Sequence, residues 1–76
     1  MNPVELKLAR IRRRRSVRSM SRLVGVSDSA WNSRERGETK VSIQESAIIS
    51  NDLELTEKEF IDIFYDGKLP FRKDES

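Results

Sequence analysis

The side chains that could do chemistry in this chain are mainly arginines, and four of them stand in a row from Arg12 to Arg15. Histidine and cysteine are both absent, which removes the usual general base at neutral pH, thiolate nucleophiles and zinc sites with Cys ligands. Among the carboxylates, serines, lysines and single tyrosine that remain, no nucleophile–base pair stands at a recognisable spacing. We therefore predict a binding protein and not an enzyme, with no cofactor and no metal site.

The net charge of +2 conceals an uneven distribution along the chain. Residues 1–40 contain eleven Lys or Arg and four Asp or Glu, whereas residues 41–76 contain four and nine. A basic half of this kind favours a polyanionic partner, and nucleic acid before a membrane. A solvated helix face is the alternative, because basic stretches on helices often contact only water.

Length and hydropathy set further limits on the function. A chain of 76 residues forms one domain and buries about 60% of its unfolded surface, so a large enclosed active site is not expected. Its longest apolar runs are two or three residues, as at 47–49, which is too short to span a membrane. The first ten residues have no apolar signal-peptide core. We expect a soluble intracellular protein without a membrane partner.

Start and stop signals divide the chain into five short helices, so the predicted class is all-α. Five residues precede helical patterns as N-terminal caps: Asn2, Ser16, Ser27, Ser42 and Thr56. The last two also begin capping boxes with a Glu three residues later. The first helix is expected to run to about Arg14, with Val4, Leu8 and Ile11 as its core stripe. Glycines mark the predicted ends of three other helices: the second ends near Gly25, the third near Gly37 and the fifth near Gly67. We predict a domain at 1–66 and a short polar tail at 67–76.

The most informative segment is 16–37. Its two helices of about eight residues are joined by Gly25, Val26 and Ser27, a connection short enough to fix one helix across the other in a helix-turn-helix. Gly25 can adopt the positive φ that the turn needs, Val26 can fill the space between the helices, and Ser27 can cap the second helix.

This segment, SVRSMSRLVGVSDSAWNSRERG, resembles the lambda-repressor-like, Cro-type (XRE family) helix-turn-helix domain of phage and bacterial regulators. Nine positions match without a gap: Ser16, Met20, Gly25, Val26, Ser27, Trp31, Glu35, Arg36 and Gly37. The resemblance extends from about residue 6 to residue 65, because the downstream sequence looks like the fourth and fifth helices of the family. It implies a five-helix lambda-repressor-like fold, double-stranded DNA as partner, and a place in the bacterial cytoplasm or nucleoid.

In such a domain the third helix would enter the major groove with its N-terminal turn toward the base edges. The base-reading candidates are Asp28, Ser29, Asn32 and Ser33. Asn32 could pair with adenine, and Asp28 could accept from a cytosine amino group. The alternative for Asp28 is that it is simply a favourable anion at a helix N-terminus.

The phosphate-binding candidates lie on either side of that helix, and they are Ser16, Val17, Arg18, Arg36 and Lys40. Many relatives have Gln after the first cap, whereas Val17 can offer only its backbone N–H. Of the run at 12–15 we expect one or two arginines to contact phosphate, with the others solvated or lying over the core. Arg10 and Glu35 match family positions that form a structural ion pair, and Trp31 is expected in the core.

The sequence thus predicts a Cro/repressor-like transcriptional regulator that binds a pseudo-palindromic operator as a homodimer, formed weakly in solution or only on DNA. The set Phe60, Phe64 and Tyr65 could serve as core or as dimer surface. One alternative is a small antirepressor that keeps the fold but binds another regulator or a polymerase subunit through an acidic face around 57–65. Another is a nonspecific nucleic-acid binder that relies on the arginine run.

Overall fold

The structure, a computed structural model, describes residues 1–68 and contains five α-helices. In chain order they are α1 (Pro3–Arg12), α2 (Val17–Val24), α3 (Asp28–Glu35), α4 (Ile43–Leu53) and α5 (Glu57–Phe64). Residues 1–68 contain no β-strand, so the all-α prediction is confirmed for this part of the chain. The predicted polar tail lies outside the described residues from residue 69 onward. None of the five helices is long and apolar enough to cross a bilayer.

Each helix begins at its predicted cap. In all five, the side-chain oxygen of the cap accepts a hydrogen bond from the backbone N–H three residues later. At the starts of α4 and α5 a second bond runs in the opposite sense, because Glu45 and Glu59 accept from the backbone N–H groups of Ser42 and Thr56. Local sequence signals are therefore sufficient to specify where the helices start.

The end of α1 comes earlier than predicted, at Arg12 and not near Arg14. Arg14 adopts a left-handed conformation with a φ of 56°. Its N–H donates to the Ile11 carbonyl at 2.9 Å, and the Arg15 N–H donates to the Arg10 carbonyl at 3.1 Å. This is a Schellman ending, in which glycine usually occupies the left-handed position. With arginine at that position, the sequence offers no glycine to mark the stop.

The buried core draws residues from every helix and consists of Leu6, Ala9, Met20, Trp31, Ile49, Leu53 and Ile63. The predicted core stripe of α1 is wrong, since Val4, Leu8 and Ile11 are 64%, 41% and 50% exposed. The face of α1 that is turned inward carries Leu6 and Ala9, and the partly buried Arg10 and Arg13 follow at the same helical spacing. Because two of those four inward positions are arginines, the apolar pattern of the sequence predicts the opposite side of α1 as the core face.

A buried carboxylate joins α1 to α3. Arg10 Nε donates to Glu35 Oε2 at 2.7 Å and Arg10 Nη2 donates to Oε1 at 3.2 Å, so the guanidinium binds the carboxylate at two points. The indole Nε1 of Trp31 also donates to Oε2, at 2.7 Å. The side chains of Arg10 and Glu35 are only 11% and 6% exposed. This contact holds the end of α3 against α1.

Arg13 connects the end of α1 to the start of α5. Its Nη1 and Nη2 each donate to the Glu59 carboxylate at 2.7 Å, and its Nε donates to the Leu53 carbonyl at 2.8 Å. Arg12 reaches the same carboxylate at 3.3 Å. These bonds and the one from the Thr56 N–H lower the pKa of the Glu59 carboxyl from its ordinary 4.5 to about 2.

The arginine run as a whole serves the fold more than predicted. Arg15 pairs with Asp52 of α4, while Arg12 and Arg13 share Glu59 of α5. Within residues 1–68, Arg14 is the member of the run without an ion pair. For Arg12, Arg13 and Arg15 the expectation of solvated side chains is therefore corrected, because tertiary folding brings the acidic helices of the second half against the basic end of α1.

We expect Arg10→Ala to lower the free energy of unfolding by about 3–5 kcal/mol, because Glu35 would be left buried without its cation. Urea denaturation followed by circular dichroism measures this loss. Arg10→Lys keeps the charge but loses the two-point contact, so its loss should be smaller. Arg12→Ala is the matched control, since Arg12 is 49% exposed. Equal losses for Arg10→Ala and Arg12→Ala would contradict the assigned role.

We expect Glu59→Gln to destabilise the domain at pH 7 by about 1.5 kcal/mol, because a charge-assisted bond to Arg13 is lost while the amide oxygen can still cap α5. The folded-state pKa of Glu59 lies below its ordinary value, so its contribution to stability is present above pH 4.5 and is lost as the pH falls toward 2. Urea denaturation between about pH 3 and pH 7 should therefore show the two proteins converging at low pH. Glu38→Gln is the control: its pair with Arg36 is more than half exposed and contributes little stability, so both its gap at pH 7 and the loss of that gap at low pH should be much smaller. A stability gap for Glu59→Gln that is constant with pH would argue against this role.

Candidate nucleic-acid interface

One side of α3 is polar and open. Ser29, Asn32, Ser33 and Arg36 share this side, because residues three and four apart are neighbours on a helix. The fully buried Trp31 lies on the opposite side. The side chains of Ser29 and Asn32 make no hydrogen bond to any other residue in 1–68, so their polar groups are available to an external ligand. We call these four residues the α3 outer face.

Asp28, a base-reading candidate, is turned toward α2. Its Oδ1 accepts from the Ser21 hydroxyl at 2.5 Å, and its Oδ2 lies 3.5 Å from the Arg18 guanidinium. The Ser21 hydrogen bond, with the positive charges of Arg18 and Arg22, lowers the pKa of the Asp28 carboxyl. Asp28 therefore stays ionised and connects the two helices, which leaves less of its hydrogen-bonding capacity for a base edge.

The start of α2 presents unpaired donors. Ser16 caps the helix by accepting from the Ser19 N–H at 3.0 Å, and the first-turn N–H groups of Val17 and Arg18 have no acceptor within the helix. The Val17 side chain packs against the core, so only its backbone faces outward as a donor. The Arg18 side chain is 68% exposed. Donor N–H groups beside a cation form an environment that suits an anionic oxygen.

Two cations follow α3, and they differ in their surroundings. Arg36 Nε and Nη2 each donate to the Glu38 carboxylate at 3.1 Å, and Nη2 also lies 3.3 Å from Ser33 Oγ. The pair raises the pKa of Arg36 and lowers that of Glu38. Both side chains are more than half exposed, and such pairs contribute little stability, so a phosphate could replace Glu38. Lys40 is exposed and forms no ion pair within residues 1–68.

Sequence reasoning missed two polar contacts that hold this region in place. The Ser21–Asp28 hydrogen bond described above is one of them. The other is the pair formed by Arg34, which is 9% exposed, and Glu45, at N···O distances of 3.0 and 3.1 Å. Arg34 lowers the pKa of the Glu45 carboxyl. A signal for the second pair existed, since Arg34 follows Trp31 on the inward side of α3 and needs a carboxylate there.

The structure therefore brings Ser29, Asn32, Ser33 and Arg36 onto one helix face, and separates Asp28 from them by its bond to α2. Within residues 1–68 no group of three or more Asp or Glu side chains is arranged to hold a metal ion. Comparison of the chain with protein-family models, with curated proteins and with solved structures finds no match.

Proposed function

We propose that this protein is a sequence-specific, double-stranded DNA-binding regulator of transcription, of the lambda-repressor-like, Cro type. The helices α2 and α3 would act as a helix-turn-helix, with α3 in the major groove. The observation that carries the proposal is the α3 outer face, whose Ser29 and Asn32 side chains have no partner within residues 1–68. The opposite side of the same helix is held by the Arg10–Glu35 contact. A rigid helix with unused polar groups on its outer side supports recognition of base edges.

Base reading would then depend on few groups. Asn32 can make two hydrogen bonds to adenine, whereas Ser29 and Ser33 can bond to any base and discriminate weakly. Asp28 is already bonded to Ser21, so we give it a supporting role at the start of α3. With so small a set of direct readers, groove shape and bridging water would supply part of the specificity.

Phosphate binding would use Ser16, the Val17 N–H and Arg18 at the start of α2, with Arg36 and Lys40 after α3. The arginine run contributes little, because Arg12, Arg13 and Arg15 are paired with carboxylates. This observation also disfavours a nonspecific binder that relies on the run. Two copies on a pseudo-palindromic operator would place the α3 helices about 34–36 Å apart.

Selection from a randomised duplex pool tests the proposal directly. At about 150 mM salt, where nonspecific binding is weakened, we expect enrichment of an inverted repeat with half-sites about ten base pairs apart. Ser29→Ala and Asn32→Ala should each change the preferred bases within a half-site. Lys58→Ala, on α5, should leave the preferred site unchanged.

Two outcomes would overturn parts of the proposal. An unchanged operator after both Ser29→Ala and Asn32→Ala would refute the α3 outer face as the reader. No enrichment by a folded protein would favour the antirepressor alternative, in which the chain binds another regulator. Capture of a defined repressor or polymerase subunit would then be the next measurement.

The salt dependence of binding measures the phosphate contacts. With Arg18, Arg36 and Lys40 as the cations in each copy, the slope of log K against log salt should be about −5 for a bound pair. Arg36→Ala and Lys40→Ala should each weaken binding to all sequences evenly and reduce the slope in proportion to the cations removed. A slope unchanged by either substitution would remove that residue from the interface.

A further inference from the structure

The outward side of α1 is an apolar stripe formed by Val4, Leu8 and Ile11, which we call the α1 stripe. All three side chains are substantially exposed, although they follow one another at the spacing of a packed helix face. A row of this kind is unusual on the outside of a small domain, because isolated apolar residues are common there but aligned ones indicate a contact surface.

Charges beside the stripe indicate what covers it. Glu5 and Arg12 stand seven residues apart, nearly two full turns, so they lie on the same flank of α1 about 10 Å from each other. The Glu5 carboxylate makes no hydrogen bond or ion pair within residues 1–68, and the charge of Lys58 on α5 lies near enough to interact with it. Arg12 uses one N–H toward Glu59 at 3.3 Å and is 49% exposed, so its other donors are open.

We propose that two copies of this chain associate through an antiparallel contact between their α1 stripes. A two-fold axis near Leu8 would place Leu8 against Leu8 and Val4 against Ile11 of the second copy. The same axis sets each flank of α1 against the same flank of the other copy, so Glu5 meets Arg12 twice. An antiparallel arrangement covers the apolar residues and also pairs Glu5 with Arg12, whereas a parallel two-fold arrangement would set the flank of Glu5 and Arg12 against the flank that carries Lys7.

The aromatic set of α5 is the weaker candidate for self-association. The ring of Phe60 lies 5.1 Å from that of Phe64 and 5.8 Å from that of Tyr65, and Phe64 packs against the core. Phe60 and Phe64 are half-buried in this cluster, although Tyr65 is 39% exposed. The α1 stripe has no such internal cover.

The contact is small, and the dimer it forms is weak. One face of a ten-residue helix covers less than the roughly 800 Å² per partner of a standard interface, so the dissociation constant lies in the micromolar range or above. Lys7, on the other flank, is exposed and extends into solvent. The inference is independent of the proposed function, because the contact requires no DNA.

Sedimentation velocity of the full chain without DNA, from about 10 µM to about 1 mM, tests the contact in the weak range expected for a small interface. We expect the average sedimentation coefficient to rise with concentration for the native protein and to stay at the monomer value for Leu8→Glu. The matched control is Ile43→Glu, because Ile43 of α4 is 87% exposed and lies off the stripe. Circular dichroism verifies that each variant is folded. A native protein that stays monomeric, or loss of association in Ile43→Glu but not in Leu8→Glu, overturns the proposal.

Charge reversal tests the orientation. Glu5→Arg and Arg12→Glu should each weaken self-association, since each sets like charges against one another. The Glu5→Arg homodimer would contain Arg–Arg contacts, and the Arg12→Glu homodimer would contain Glu–Glu contacts. In the mixed pair all of these become Arg–Glu contacts, so an equimolar mixture of the two variants should associate again. A mixture that stays monomeric would rule out the antiparallel register. These measurements contain no DNA, so their failure would leave the proposed DNA binding untouched. Failure of the DNA-binding measurements would likewise leave the proposed α1 contact untouched.

Discussion

The fold depends on one buried carboxylate, that of Glu35. It accepts from Arg10 at two points and from the Trp31 indole, so the largest side chain of the core and the first helix meet at a single anion. Burying a carboxylate is unfavourable unless it is paired and hydrogen-bonded, and here Arg10 of α1 and Trp31 of α3 supply three donors to it. The orientation of α3, and of the polar groups on its outer face, is therefore set by a residue of α1.

Folding brings the two halves of the charge distribution together. The linear sequence has a basic half and an acidic half, which favours an external polyanion as partner. In the structure, Glu59 binds Arg12 and Arg13, Asp52 binds Arg15, and the cations left for a ligand are scattered and few. Charge along a sequence measures what a chain could attract, and the tertiary contacts decide how much of that attraction is already satisfied.

The sequence predicts local features well and tertiary ones poorly. The helix starts follow from hydroxyl and amide caps, whose hydrogen bonds span only three residues. The core face of α1 is mispredicted because arginines occupy half of it, and the end of α1 because Arg14 takes a conformation typical of glycine. The candidate site shows the same division: the shared face of Ser29 and Asn32 follows from helical spacing, but the bond from Ser21 to Asp28 requires the crossing of two helices.

The carboxylate of Glu59 has a consequence for how the domain opens. It caps the first turn of α5 and also binds Arg12 and Arg13 at the end of α1. At the opposite ends of these two helices, the Asn2 N–H before α1 donates to the Ile63 carbonyl of α5 at 2.6 Å. Neither helix can fray at these points without releasing the other. The helices α1 and α5 therefore form one cooperative unit in local unfolding, and their amide protons should exchange with solvent together although they are the most distant in sequence of the five described helices.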